Sequence, residues 1–92
     1  MRVKYTATAL AEIEDILSYI AKDNPLAAHE VSVVLREAID RLIHFPRMAI
    51  ETDVPGVRVA PLLPYRYLIF FSVADDCLVI RNVRHSAQAW RF

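Results

Sequence analysis

The chain has 92 residues, the size of one small domain, so the sequence predicts a single domain over residues 1–92. Lys and Arg together number 11, as do Asp and Glu, and this zero formal charge excludes a protein held on nucleic acid by bulk positive charge alone. Apolar residues make up 55% of the chain and the mean hydropathy is +0.27, which excludes a disordered chain and predicts apolar surface that a partner covers.

Several classes of site and location are excluded by what the sequence lacks. Cys77 is the single cysteine, so an internal disulfide and a CxxC metal or redox site are excluded. His29 and His44 have no second ligand at metal spacing, and there is no glycine-rich phosphate loop, so we expect neither a metal nor a cofactor. No apolar run approaches the roughly 18 residues of a membrane span, and the first residues lack the apolar core of a signal peptide. We therefore expect a cytoplasmic protein without membrane contact.

A short strand followed by a helix is predicted at the start of the chain. Residues 2–5 alternate charged and apolar side chains, as strands do, and Thr6 or Thr8 can cap the helix that follows. Apolar residues then recur at helical spacing, at Leu10, Ile13, Leu17 and Ile20. Carboxylates occupy the polar side of the same helix, at Glu12, Glu14 and Asp15.

A second helix begins after Asn24, because the fixed φ of Pro25 suits a first helical position and Asn24 can cap it. Its apolar stripe consists of Ala28, Val31, Leu35, Ala38 and Leu42, and Pro46 ends it. The connection between the two helices is so short that they must form an antiparallel hairpin.

The remaining chain is predicted to form strands. Residues 46–56 are the candidate functional loop, with Glu51 and Asp53 at its polar centre. Three strand patterns follow, over residues 57–60, 65–73 and 77–84. Helices that are followed by a run of strands indicate an α+β fold, with the hairpin packed on one face of a mostly antiparallel sheet and the other face open.

Strict alternation along the last strand predicts which side chains face the helices. The apolar pair Leu78 and Ile80 should pack beneath the hairpin, and Asn82 and Arg84 share that side. The opposite, open face then carries Arg81, Val83 and His85.

Arg66, at the start of the neighbouring strand, can join Arg81 and His85 on this open face. Such a cluster suits a phosphate or a carboxylate, and an imidazole can transfer protons near neutral pH. The alternative is that these are ordinary solvated side chains on an exposed sheet face. Trp90 lies in an aperiodic tail, which favours packing against a partner.

A series of short segments along the chain resembles a known group of proteins. The matching segments, in chain order, are Thr6–Ile13, residues 16–20, Asn24-Pro25 with Ala27-Ala28, Leu42 through Phe45-Pro46, Gly56-Val57-Arg58, Pro64-Tyr65-Arg66 with Phe70, and Val83-Arg84-His85. Their order and spacing resemble the RelE/ParE superfamily of toxins from bacterial type II toxin–antitoxin modules. The resemblance implies a helical hairpin on an antiparallel sheet, and a cognate antitoxin whose C-terminal segment wraps and neutralises the toxin.

The superfamily divides by mechanism. RelE-like members cut messenger RNA in the ribosomal A site, and ParE-like members poison DNA gyrase. A ribosome-dependent nuclease needs acid/base groups and a basic body, whereas this chain is neutral and carries Glu51 and Asp53 where basic nucleases carry lysines. The resemblance therefore favours a ParE-like, non-enzymatic toxin. Its candidate target-binding residues are Arg66, Arg81, Arg84, His85 and Trp90.

Two alternatives stay open. The first is a RelE-like endoribonuclease acting on the ribosome and messenger RNA, motivated by the arginine-rich C-terminal half. Glu51 or His85 would then be the acid/base, and the phosphate would be bound by Arg58, Arg66 and Arg84. The second is an inactive remnant that only binds its partner, because Ser86-Ala87-Gln88 departs from the more basic ending of the family.

Overall fold

The computed structural model describes residues 1–87, which contain two helices, a short 3₁₀ turn and five strands. The helices are α1 (Ala7–Asp23) and α2 (Pro25–His44), and the turn is Pro46–Met48. The strands are β1 (Arg2–Tyr5), β2 (Ile50–Glu51), β3 (Arg58–Pro61), β4 (Tyr67–Ala74) and β5 (Cys77–His85).

Local side-chain caps start both helices where the sequence indicates. Thr6, rather than Thr8, caps α1, because its hydroxyl oxygen accepts a hydrogen bond from the Ala9 N–H at 3.0 Å. The Asn24 side chain accepts from the Ala27 N–H at 3.0 Å, and Pro25 occupies the first position of α2. The predicted starts of both helices are therefore confirmed.

The five strands form one sheet in the order β1-β5-β4-β3-β2. β1 runs parallel to β5, and the other neighbouring pairs are antiparallel. The predicted α+β fold, a helical hairpin on a mostly antiparallel sheet, is confirmed. The sequence prediction missed β2, which lies inside the segment 46–56 that was interpreted as a loop. Two residues are too few to display an alternating pattern.

The main core lies between the helical hairpin and one face of the sheet. The helices contribute Ala9, Val31, Leu35, Ala38, Ile39 and Leu42. The β3–β5 side contributes Leu62, Ile69, Phe71, Leu78, Ile80 and Val83. A smaller cluster lies on the opposite face of the sheet and consists of Val57, Val59, Leu68 and Phe70. The helix-free face is thus partly apolar as well.

A β-bulge changes the alternation of β5. Phe71 lies opposite Ile80, but its neighbour Phe70 lies opposite Asn82, so Arg81 is an extra residue without a partner on β4. From this point on, each side chain of β5 points to the face opposite the one that strict alternation predicts.

The predicted faces are therefore wrong beyond Arg81. Val83 was expected on the open face, but it is 3% exposed and belongs to the core beneath the helices. His85 lies opposite Tyr67, which packs against that same core, so His85 is also on the helix side. Arg84 is expected on the helix side; its register places it opposite Leu68 of the other cluster, but its Nε still pairs with Glu12 of α1.

Within residues 1–87, no helix has both the length and the apolar composition needed to cross a lipid bilayer.

Candidate functional site

One end of the sheet gathers three of the predicted site residues. The register places Tyr67 opposite His85, and the Ser86 N–H donates to the Arg66 carbonyl at 2.8 Å. Arg84 is the neighbour of His85 on β5. We call Arg66, Tyr67, Arg84 and His85 the sheet corner. Arg66 and His85 are exposed, so this corner is available to a binding partner.

The His85 ring is held by two contacts. Its ring centroid lies 5.7 Å from that of Tyr67 with the planes at 85°, an edge-to-face arrangement. The Ala87 N–H donates to His85 Nδ1 at 3.1 Å. Since Nδ1 acts as an acceptor, the neutral ring carries its proton on Nε2 and presents an N–H donor there.

Glu12 fixes Arg84 and the neighbouring edge of β5. Its Oε1 accepts from the Val83 N–H and from Asn82 Nδ2, both at 3.1 Å, and its Oε2 pairs with Arg84 Nε at 3.3 Å. β1 pairs with β5 only as far as Ile80. Glu12 therefore accepts hydrogen bonds from donors at the edge of β5 that β1 does not reach.

The sequence pattern places Glu12 on the polar side of α1 and gives no indication of this role. No local pattern signals it, because the three donors lie about 70 residues away on another element.

The other predicted catalytic residues lie elsewhere. Arg58 Nη2 pairs with Glu51 Oε1 at 3.2 Å, and its Nη1 donates to the Ala49 carbonyl at 2.8 Å. Both contacts tie the segment around β2 to β3, so the guanidinium of Arg58 has a structural role.

Strand register gives the separation between Arg58 and the sheet corner. Arg58 lies opposite Phe71, whereas Arg84 lies opposite Leu68, three residues away along β4. That offset is about 10 Å along the strand, and β3 and β5 lie on either side of β4, about 10 Å apart. Glu51 and Arg58 therefore do not join Arg66, Arg84 and His85 in one site.

The remaining predicted residues divide into three cases. Arg81 is exposed at the bulge, where its carbonyl accepts from the Thr6 hydroxyl at 2.9 Å. Asp53, in the predicted loop, is exposed, and Cys77 is buried. Trp90 lies outside the described residues.

Metal-binding side chains do not gather in the described part of the chain. Over residues 1–87, there is no group of three or more His, Cys, Asp or Glu residues placed to hold a metal ion.

The chain is similar to known proteins over nearly its full length. The model of the family described as "ParE toxin of type II toxin-antitoxin system, parDE" matches residues 3–90. Toxin RelE2 of Caulobacter vibrioides is 36% identical over 90 residues, which cover 95% of this chain and 97% of that protein.

Two solved structures have a similar fold. A chain of the chromosomal ParDE toxin–antitoxin system of P. aeruginosa superimposes with a TM-score of 0.80 at 22% identity, covering 92% of this chain and 95% of that chain. YafQ of E. coli gives a TM-score of 0.64 at 15% identity, covering 98% and 99% of the two chains.

Proposed function

The chain belongs to the ParE toxin family of type II toxin–antitoxin systems, and on that premise we propose that it inhibits bacterial growth by binding DNA gyrase and is neutralised by a cognate antitoxin. The observation that carries this proposal is the dispersal of the candidate nuclease groups. Glu51 and Arg58 lie away from the sheet corner, and within the corner the side chain of Arg84 is paired with Glu12 of α1. General acid/base catalysis needs these groups around one reacting phosphate, whereas a binding surface does not.

The sheet corner has the chemistry of a protein-binding surface. Arg66 offers a planar fork of donors that suits carboxylates, and the His85 ring adds an N–H donor beside the Tyr67 ring. Glu12 holds Arg84 in place, so binding there orders fewer rotatable bonds. Arginine and tyrosine are also the residue types that dominate interface energetics.

DNA supercoiling by purified gyrase tests the proposal directly. We expect the toxin to inhibit supercoiling, and the double variant Arg66→Ala/His85→Ala to require about tenfold more protein for half-inhibition. Arg2→Ala is the matched control, because Arg2 is exposed and pairs with Cys77 at the far end of β5. Unaffected supercoiling at saturating toxin would overturn the gyrase proposal.

Co-expression tests the antitoxin part of the proposal. We expect induction of the toxin alone to stop growth, and induction together with the protein encoded by the adjacent reading frame to restore it. Normal growth after induction of the toxin alone would favour the inactive partner-binding remnant instead.

A second candidate function rests on the composition of the sheet corner. It brings a histidine, a tyrosine and two arginines to one end of the sheet, and these residue types can transfer protons and bind phosphate. If the chain is a RelE-like ribonuclease, messenger RNA from induced cells should carry cuts at the ribosomal A site. Primer extension maps these cuts, and they should be absent when His85→Ala is induced. Such cuts together with unaffected gyrase would replace the first candidate by the second.

A further inference from the structure

An apolar groove of about 340 Å³ opens where β1, α1 and α2 meet. Val3 and Tyr5 of β1 line one side, Leu10 of α1 lines the second, and Ile39 and Ile43 of α2 line the third. We call this feature the β1 groove. Because β1 is the outermost strand beside β5, the groove lies at the edge of the sheet opposite to β2 and β3.

Large apolar side chains at the β1 groove are in contact with solvent. Tyr5 is 41% exposed and Leu10 is 53% exposed, although an amphipathic helix normally turns its leucines towards the core. Both side chains line one apolar depression, so their exposure is concentrated rather than scattered. The hydrophobic effect therefore favours a partner that covers this surface.

The β1 groove carries one cation and one anion. Arg36 and Asp40 line it from α2, and both residues are exposed. They are four positions apart with the cation nearer the N-terminus, which is the less favourable order for pairing within a helix. Over residues 1–87 the structure forms two ion pairs, and neither includes Arg36 or Asp40. Both charges are thus available to a partner.

The two charges belong to a stripe of α2 that is complementary to itself. Val33, Arg36, Asp40 and Ile43 follow the 3-4-3 spacing of a helix seam. When two copies of α2 pack antiparallel about a twofold axis level with Ala38, residue 36 of each lies against residue 40 of the other, and residue 33 against residue 43. Each cation then meets an anion, and each apolar residue meets an apolar residue.

The strand at this edge does not favour a contact through the sheet. β1 pairs with β5 on one side and is the last strand of the described sheet on the other. Its short length and the charged residues Arg2 and Lys4 are features that oppose the addition of another strand at an edge. The helical stripe is therefore the element of the β1 groove that suits a second copy.

We propose that the chain forms a homodimer through the β1 groove, with two α2 helices antiparallel, Arg36 paired with the partner's Asp40, and Tyr5 and Leu10 buried at the contact. The contact is isologous, because both copies contribute the same surface. It requires neither the target nor the antitoxin.

The sheet corner stays accessible in such a dimer. β1 pairs with β5 only as far as Ile80, and His85 lies five residues further along β5, roughly 15 Å away. The dimer therefore presents two sheet corners, one on each copy.

Sedimentation velocity of the purified full-length chain over a range of concentrations tests the dimer. We expect a species of twice the 10.5 kDa of one chain, which dissociates on dilution. Arg36→Glu should raise the dimer Kd by about tenfold or more, because negative side chains then face each other at both pairs. Arg41→Glu is the matched control, since Arg41 is an exposed arginine of the same helix that lies about 140° around its axis from Arg36. Its Kd should equal that of the unmodified chain.

An exchange of the two charges gives a second test. Arg36→Glu/Asp40→Arg restores opposite charges across the twofold axis, so its Kd should return to within about threefold of the unmodified value. Leu10→Glu should raise the Kd by about tenfold or more, and Leu26→Glu is its control, because Leu26 is an exposed leucine outside the β1 groove. All these positions are exposed, and circular dichroism checks that each variant is folded.

Three outcomes would contradict the proposal. A chain that sediments as a monomer at every concentration would overturn it. A dimer whose Kd is unchanged in both Arg36→Glu and Leu10→Glu would also overturn it, because the contact would then use another surface. A charge-exchange variant that dimerises as weakly as Arg36→Glu would overturn the antiparallel pairing of Arg36 with Asp40.

Discussion

At the scale of single residues, Glu12 connects the helical layer to the sheet. Its carboxylate accepts hydrogen bonds from a backbone N–H, an amide side chain and a guanidinium. The side chains of Glu12 and Arg84 are each about one-quarter exposed, at 25% and 24%, so solvent screens their pairing only in part. This one residue therefore covers the β5 edge and orients a candidate target-binding arginine.

Glu12→Gln should lower the free energy of unfolding by about 1 kcal/mol, because a neutral amide keeps the size of the side chain but loses the charge-assisted bonds. Urea unfolding of the two proteins measures the difference. Glu14→Gln is the matched control, since Glu14 is an exposed carboxylate on the same helix. Equal midpoints for the two variants would contradict the role assigned to Glu12.

At the scale of elements, the sequence predicts what local chemistry determines. The caps at Thr6 and Asn24 and the proline at position 25 act within one turn of their helices, and both helices begin where these residues indicate. The sequence also predicts β3, β4 and β5, because each of these strands is long enough to show the side-chain pattern of a strand.

Long-range contacts determine the parts that the sequence analysis missed. The bulge at Arg81 coincides with a hydrogen bond from the Thr6 hydroxyl to the Arg81 carbonyl, across 75 positions of the chain. One unpaired residue then exchanges the faces of Val83 and His85, so strict alternation places these side chains on the wrong sides. The alternation of side chains along a strand does not indicate where such an extra residue occurs.

The Arg58 side chain adds to the backbone pairing and the Thr52 hydrogen bonds that attach the segment around β2 to β3. Arg58→Ala removes the bonds to the Ala49 carbonyl and to Glu51, so backbone amides around β2 should exchange faster with solvent by hydrogen exchange. Amides of the β4–β5 pair should not change. Glu51→Ala should have a smaller effect, because its carboxylate is 79% exposed and the bond from Arg58 to Ala49 remains. Equal exchange at β2 in the unmodified protein and in Arg58→Ala would contradict this interpretation.

At the scale of the whole molecule, two surfaces have different chemistry. One is an apolar groove of about 510 Å³ between the C-terminal half of α2 and the outer edge of β3, which we call the α2–β3 groove. Met48 and Leu63 line it, and Arg41 is its one charged residue. The other is the sheet corner, which carries arginines, a histidine and a tyrosine. The segment from Leu62 to Arg66 joins them, since Leu63 lines the groove and Arg66 belongs to the corner. Two described carboxylates, Glu12 and Glu51, are in ion pairs. The neutral net charge therefore conceals local surfaces suited to two partners.

An antitoxin that covers the α2–β3 groove makes toxicity and neutralisation separable by mutation. Met48→Glu/Leu63→Glu should still stop growth when it is induced alone, because the sheet corner is intact, but the antitoxin should no longer restore growth. Arg66→Ala/His85→Ala should have the opposite phenotype, with lost toxicity and an antitoxin Kd within about threefold of the unmodified value. Growth curves with and without antitoxin, together with titration of the purified antitoxin into the toxin, measure both properties.

The same experiment distinguishes two surfaces from one shared surface. If gyrase also occupied the α2–β3 groove, Met48→Glu/Leu63→Glu would lose toxicity together with neutralisation, which contradicts the separation. Leu26→Glu again serves as the control, since it adds one charge at an exposed apolar position distant from both surfaces. It should retain toxicity and neutralisation, because Leu26 lies about 18 Å along α2 from Ala38, the nearest residue of that helix in the α2–β3 groove.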